Sequence, residues 1–341
     1  TRDPDLVGAV DALVAREAGA EAGLPPAFLP FPVRGTTIPN RVVVSPMCMY
    51  SATDGVVGDW HFVHLGSRAT GGAGLVMTEM TNVTADGLIT PGCAGMWTDE
   101  QEAAWKRVVD FVHTHSSSKI GMQIAHAGRK ASCSRPWEGD APLTGEDAWQ
   151  TMGPSALPFG PDWPTPRAMD AQDMRRISDA FVASAQRCVR AGFDLVEVHM
   201  AHGYLLSSFL SPLSNVREDE FGGSLENRAR FPMEVARAVR AAIPDSMPLF
   251  VRLSATDWFD SEERGITVDE AVQLARWLKD AGVDVIDVSS AGNVPESRPQ
   301  YGRMYQVPFA ERIRFEADVP VMAVGAIQGL DHAHTIVAAG R

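Results

Sequence analysis

Residues Asp194–Arg230 read DLVEVHMAHGYLLSSFLSPLSNVREDEFGGSLENRAR, and the rest of the chain is organised around them. The stretch opens on Asp194-Leu195-Val196-Glu197-Val198-His199, a short, mostly apolar run of the kind a buried parallel strand needs. Polar groups begin where the run stops: His199, His202 and Tyr204. Two imidazoles and a phenol at the C-terminal end of such a strand sit where α/β proteins place their chemistry. An acid and two hydrogen-bond donors converging there can polarise a carbonyl and deliver a proton beside it. The bland alternative is that each is a satisfied structural side chain. The H-x-x-H spacing also invites zinc, but the metalloprotease motif is H-E-x-x-H on a helix. Met200 and Ala201 fill the gap here, no Glu general base lies between, and the run before it is a strand. No metal site is expected.

Outward from this stretch, strand, loop and helix patterns alternate. Predicted strands are 41–46, 75–79, 120–125, 195–199, 249–254, 283–289 and 319–325. Predicted helices are 60–70, 99–115, 173–191, 225–242, 267–281, 307–316 and 330–339. Seven such alternations predict an α/β protein of the (β/α)8 TIM-barrel type, with the sequence ending where an eighth strand would begin. The dinucleotide-binding G-x-G-x-x-G is absent after the first strand, which weakens a doubly wound alternative. The connection from about Gly128 to Gln172 is rich in Pro, Gly and Trp, and its length predicts a functional lid or insertion. Residues 1–24 are expected to form a helical extension or linker, and residues 25–341 a barrel incomplete at its C-terminal end.

Composition narrows the function. With 341 residues and 45% hydrophobic content the chain can bury one large barrel core. A net charge of −13 and a pI near 5.1 argue against nucleic acid or an anionic membrane as partner. No apolar run approaches the roughly 18 residues of a membrane span. The four cysteines, Cys48, Cys93, Cys133 and Cys188, are scattered, and with no visible signal peptide they predict a reducing, cytoplasmic location.

The run from Val196 to Phe231 resembles the old yellow enzyme family of flavin-dependent ene reductases. The marks are H-x-x-H-x-Y at His199, His202 and Tyr204, then FLSP-x-x-N-x-R-x-D-x-FGGS-x-ENR. Similarity extends from about Phe31 to the last residue. Ser45-Pro46-Met47-Cys48-Met49-Tyr50 resembles the thermophilic-like subgroup, and Gln123-Ile124-Ala125-His126-Ala127-Gly128-Arg129 is a second hallmark. The resemblance implies FMN as cofactor and NADPH or NADH as hydride donor. It assigns cofactor binding to Ser45, Pro46, Met47, Cys48, Gln123, Arg252 and Gly325, with Cys48 tuning the flavin. An Arg among the Leu and Val of the fifth strand is costly unless it meets an anion, either the flavin or an Asp or Glu. Tyr50, His199 and His202 would bind substrate. His126 and Arg129 read as structural, and at the end of the second strand, Glu79-Met80-Thr81, no side chain stands out.

The implied reaction is a two-step reduction of α,β-unsaturated carbonyl compounds. FMN N5 passes a hydride to the β-carbon, the two histidines hold the carbonyl oxygen, and Tyr204 protonates the α-carbon. The resemblance also admits the reductase part of a fusion behind an FAD monooxygenase, acting on a dearomatised aromatic acyl-CoA. A homo-oligomer is expected. A non-catalytic scaffold domain that binds flavin, or nothing, is the reading from another class, and Cys48, His199, His202, Tyr204 and Arg252 together argue against it.

Overall fold

The protein, described from a computed structural model, is defined over residues 3–17, 19, 23–259 and 265–341. Seven parallel strands form the frame: β1 (Val43–Val44), β2 (Leu75–Met77), β3 (Lys119–Ala125), β4 (Leu195–Met200), β5 (Leu249–Ser254), β6 (Val285–Ser289) and β7 (Val321–Ala323). They pair in simple sequence order from β1 to β7, and the short strand Thr81–Asn82 adds to β3. Helices α1 (Asp59–Thr70), α2 (Asp99–His115), α3 (Ala171–Ala191), α4 (Leu225–Ala242), α5 (Val268–Asp280), α6 (Val307–Glu316) and α7 (Leu330–Ala338) follow the strands in turn. This is the β/α repeat of a (β/α)8 barrel. Among the described residues β7 and β1 are not paired with each other.

Strand alternation sorts the interior. Val196, Val198, Val251, Leu253, Ile286 and Val288 face the helix layer and join the main core. Leu195, Phe250 and Val285 point the other way, into the barrel, and pack with Met77 and Met322. By the same alternation Glu197, His199, Arg252, Ser254, Asp287 and Ser289 also point inward. The barrel is therefore apolar at its base and polar toward the C-terminal ends of its strands.

The base is closed by a feature the sequence pattern did not reveal, a hairpin of Phe31–Val33 with Thr36–Ile38. Val33 and Ile38 seal against Leu75, Leu195 and Phe250, and Pro32 sits exposed where its missing N–H is harmless. Strand ends also differ from the pattern. Pro46 and Pro320 lack donors, so β1 and β7 are shorter than predicted. Helix starts follow capping chemistry: Thr98 with Gln101 opens α2, Asp170 with Asp173 opens α3, and Thr267 with Glu270 opens α5.

The 128–172 connection holds three short 3-10 turns and a two-stranded parallel pair, Met152–Gly153 with Arg167–Ala168. It folds back over the strand ends, where Arg135 Nε donates to the Tyr50 carbonyl at 3.1 Å and Trp149 Nε1 to that of Asp86 at 3.2 Å. In the N-terminal extension a helix spans Pro4–Glu17 and leaves Leu6, Val7 and Leu13 exposed. Thr1, Arg2, Ala18, Ala20, Glu21 and Ala22 of that predicted extension lie outside the described residues.

Candidate active site

The rings of His199, His202 and Tyr204 converge above β4. The His199 ring lies 5.1 Å from that of His202 and 5.2 Å from that of Tyr204, both edge to face. The Ala201 N–H donates to His199 Nδ1 at 3.2 Å, so the ring proton sits on Nε2 and makes that atom a donor. His202 has a left-handed backbone (φ 62°), and its N–H is held by Ser254 Oγ at 3.0 Å. Its Nε2 lies 2.7 Å from Ser289 Oγ, at the end of β6. The turn depends on two glycines. A Cβ on Gly203 (φ 71°) would meet the Gly292 carbonyl oxygen at 2.2 Å, and one on Gly292 (φ 96°) would meet His202 Cα at 2.5 Å. Only two bare backbones allow the loops after β4 and β6 to touch.

Burial, and then the charge of Arg252, push both imidazoles well below the ordinary histidine range. They are neutral donors rather than cations. Because their folded values are depressed, the stability they carry is full above the unfolded value of about 6.5 and is lost as pH falls. The urea midpoint of the protein is expected to decline as pH drops below about 6.5, and the His199→Asn/His202→Asn double variant to decline less. An equal decline in both would show that other groups carry it.

Tyr204 caps the short helix Leu205–Leu210 and packs in a small cluster with Cys48, Tyr50, Cys93 and Trp149. Burial raises its phenol well above the usual range, so it stays protonated. Lys130, to which the sequence reading gave no role, lies over this ring. Its Nζ is 5.1 Å from the Tyr204 centroid and donates to the His202 and Gly292 carbonyls at 2.9 and 3.0 Å. Burial, with Arg129 nearby, brings this ammonium down to about 8.

Glu79 corrects the expectation that nothing stands out at the end of the second strand. Its buried carboxylate lies 2.8 Å from His61 Nε2 and accepts the Met49 N–H at 3.1 Å. It thereby holds the loop that carries Cys48 and Tyr50, and Tyr50 itself takes a left-handed backbone (φ 51°). Ser45 and Pro46 are half-buried and Met47 is exposed. Burial, and then Cys93 and Glu79, push the Cys48 thiol well up, so it is a thiol and not a thiolate.

Gln123 and Arg252 lie in the barrel interior. The Gln123 amide nitrogen donates to Glu197 Oε1 at 2.8 Å, and Arg252 Nε lies 3.0 Å from Asp287 Oδ2. Both carboxylates were missed in the sequence, where they read as parts of apolar strands. Gly325 (φ 110°) lies two residues beyond β7, and a Cβ there would meet Gln306 Nε2 and Tyr305 Cε1 at 2.9 Å. His126 and Arg129 are structural: His126 Nδ1 accepts the Gly128 N–H at 2.9 Å, and Arg129 donates to the carbonyls of Leu157, Pro158 and Asn293. Among the described residues no group of three or more His, Cys, Asp or Glu could hold a metal ion, and no helix is long and apolar enough to cross a membrane.

The NADH:flavin oxidoreductase / NADH oxidase family model matches residues 26–341. An NADPH dehydrogenase of Geobacillus sp. (strain WCH70) is 45% identical over 316 residues, covering 92% of this chain and 87% of its own. An NADH:flavin oxidoreductase of Gibberella zeae is 43% identical over 318 residues, 88% of this chain and 76% of its own. Among solved structures, morphinone reductase superposes with a TM-score of 0.77 at 28% identity, over 93% of this chain and 84% of its own. A 2-naphthoyl-CoA reductase, solved with 2-naphthoyl-CoA, superposes with a TM-score of 0.82 at 25% identity over 92% of this chain, which spans 48% of that protein's length. With these relatives and this barrel, the chain belongs to the NADH:flavin oxidoreductase / NADH oxidase family, FMN-dependent oxidoreductases of the old yellow enzyme type.

Proposed function

We propose that this protein reduces the C=C bond of α,β-unsaturated carbonyl compounds with electrons from NADPH or NADH, and that residues 25–341 form its FMN-binding barrel. The observation that carries this reading is the convergence of two neutral imidazoles and one protonated phenol at the mouth of the barrel.

The residues fit FMN. The terminal nitrogens of Arg252 make no hydrogen bond among the described residues, yet the guanidinium acts on His199, His202 and Tyr305, so a cation with free donors borders the site. It would hold an anionic cofactor edge. Gln123, with one amide proton on Glu197, keeps its carbonyl oxygen and second amide proton for a ring that both donates and accepts. The bare backbone at Gly325 suits a phosphate, and Ser45, Pro46, Met47 and Cys48 would line the flavin. FMN, when bound, supplies the hydride chemistry.

The chain's own groups do the rest. His199 Nε2–H points its proton away from the backbone and can hold a carbonyl oxygen. His202 joins it when the Ser289 hydroxyl donates to Nε2 and leaves the proton on Nδ1. Each donor draws electron density from the conjugated alkene. Tyr204 gives its phenolic proton to the α-carbon, and the Lys130 ammonium over the ring stabilises the phenolate left behind. Tyr50 packs in the same cluster as Tyr204, and Arg135 of the 128–172 connection holds its carbonyl.

The test is an anaerobic visible-absorption titration of the purified protein with NADPH and then with 2-cyclohexenone. A bound flavin should bleach with NADPH and return with the enone. A flavin that reduces and ignores the enone would favour the second reading, a dearomatised aromatic acyl-CoA as substrate, which the likeness to 2-naphthoyl-CoA reductase supports. A protein with no flavin would leave the non-catalytic scaffold.

A further inference from the structure

Below the histidines the barrel carries a polar layer that the reaction as derived does not use in full. Gln123 on β3 faces Glu197 on β4, and Arg252 on β5 faces Asp287 on β6. Glu197 and Asp287 are fully buried, and Arg252 is only 7% exposed. The layer thus holds two buried carboxyls and one guanidinium, one negative charge more than the guanidinium balances. Its hydrogen bonding is short as well. Among the described residues Glu197 Oε2 and both Asp287 oxygens have no hydrogen-bond donor, and Arg252 Nε, although 3.0 Å from Asp287 Oδ2, is not aligned to give one. Buried acceptors without donors are costly, and so is an unbalanced buried charge.

One proton removes the surplus charge and eases the shortfall, since it turns one of the three unpaired oxygens into a donor. We propose that Glu197 and Asp287 hold one proton between them near neutral pH, and that this proton sets the charge of the layer Arg252 presents to the cofactor. Glu197 is the carrier, because Asp287 has the guanidinium beside it. The surroundings leave few other groups to interfere. Around Glu197, β3 offers the neutral Gln123, β5 offers Arg252, β6 offers Asp287, its own strand offers the neutral His199, and the helix Leu205–Leu210 carries no charge. Burial, then repulsion by Asp287, raise the Glu197 carboxyl to about 8 against the pull of Arg252 and Gln123, and Asp287 is raised as well, chiefly by burial.

The consequence for the reaction rests on the FMN reading. Two electrons on a bound flavin would place negative charge beside this layer, and where the pair of the oxidised protein has lost its proton, reduction would draw one back from solvent. Between the pair's titration in the oxidised and in the reduced protein, the flavin potential should fall more steeply with pH than on either side. Glu197 is a positioning residue here: it acts through Gln123 and through the charge balance of Arg252.

Two measurements test this. Infrared spectroscopy of the protein as purified should show a protonated-carboxyl C=O band at about pH 6 that is lost by about pH 10, and Glu197→Gln should abolish it. The Asp287→Asn variant, which removes the repelling charge, should shift that loss to lower pH and serves if Glu197→Gln does not fold. A band absent at about pH 6, or unchanged in Glu197→Gln, overturns the shared proton. Potentiometric titration across the same range should show the steeper segment in the wild-type holoenzyme and not in Glu197→Gln. Identical slopes would overturn the link to the cofactor even with the band present. A protein without flavin would defeat the functional reading, while the infrared result would still decide the proton.

Discussion

Replacing Tyr204 by Phe is expected to slow reoxidation of the reduced protein by 2-cyclohexenone about 10²-fold or more, and to leave reduction by NADPH nearly unchanged. A positioned general acid contributes typically about 10²–10⁴ to a rate, and Tyr204 is the group to which the proposed function gives that role. Its phenol is kept protonated by burial, so the proton is on hand throughout the working range of pH. Phe keeps the ring's edge contact with His199 at 5.2 Å and its place under the Lys130 ammonium at 5.1 Å, so the site's shape survives the loss of the hydroxyl. Reduction by NADPH needs no proton from this side chain. Stopped-flow measurement of the two half-reactions separates the cases, and an equal loss in both would contradict the proton-donor role.

Arg252→Met is expected to have the largest effect on stability. Arg252 and Asp287 form a buried ion pair, and removing one partner leaves the other charge stranded, at a cost of about 3–5 kcal/mol. Asp287 is already raised by burial, so part of that cost is met by taking up a proton, and the loss should grow as pH rises. The Arg252→Met/Asp287→Asn double variant removes the stranded charge and should recover much of the loss, whereas independent sites would give additive losses. Urea unfolding of these two variants and of Asp287→Asn, all without FMN, measures the pair directly. With Arg252 at the FMN edge, as proposed, the double variant should still bind FMN more weakly than wild type, since that cation is gone. Full binding by the double variant would remove Arg252 from the cofactor site.

Much of the fold was legible because the repeat is local. A short apolar run, a loop and an amphipathic stretch recur seven times, and each is recognised within its own few residues. His199, His202 and Tyr204 were legible for the same reason: they sit within six residues, at the abrupt end of a strand. The groups that were missed share a different property. Both faces of these strands are buried, so the run Leu195–Met200 gives no outward sign of which residues enter the barrel, and Glu197 passes for an interruption in a core strand. Its partner Gln123 is 74 residues away, and the carbonyls that anchor Lys130 are 72 and 162 residues away.

Glu79 likewise had no visible role until the barrel brought Met49 and His61 to it. The hairpin at the base was lost because strands of three residues carry too little pattern to register. The sequence by itself therefore determined the order of the elements and the trio at the end of β4. Only the tertiary structure decided the pairing of the buried charges and the contact of Gly203 with Gly292, because those depend on closing a curved sheet through segments far apart in the chain.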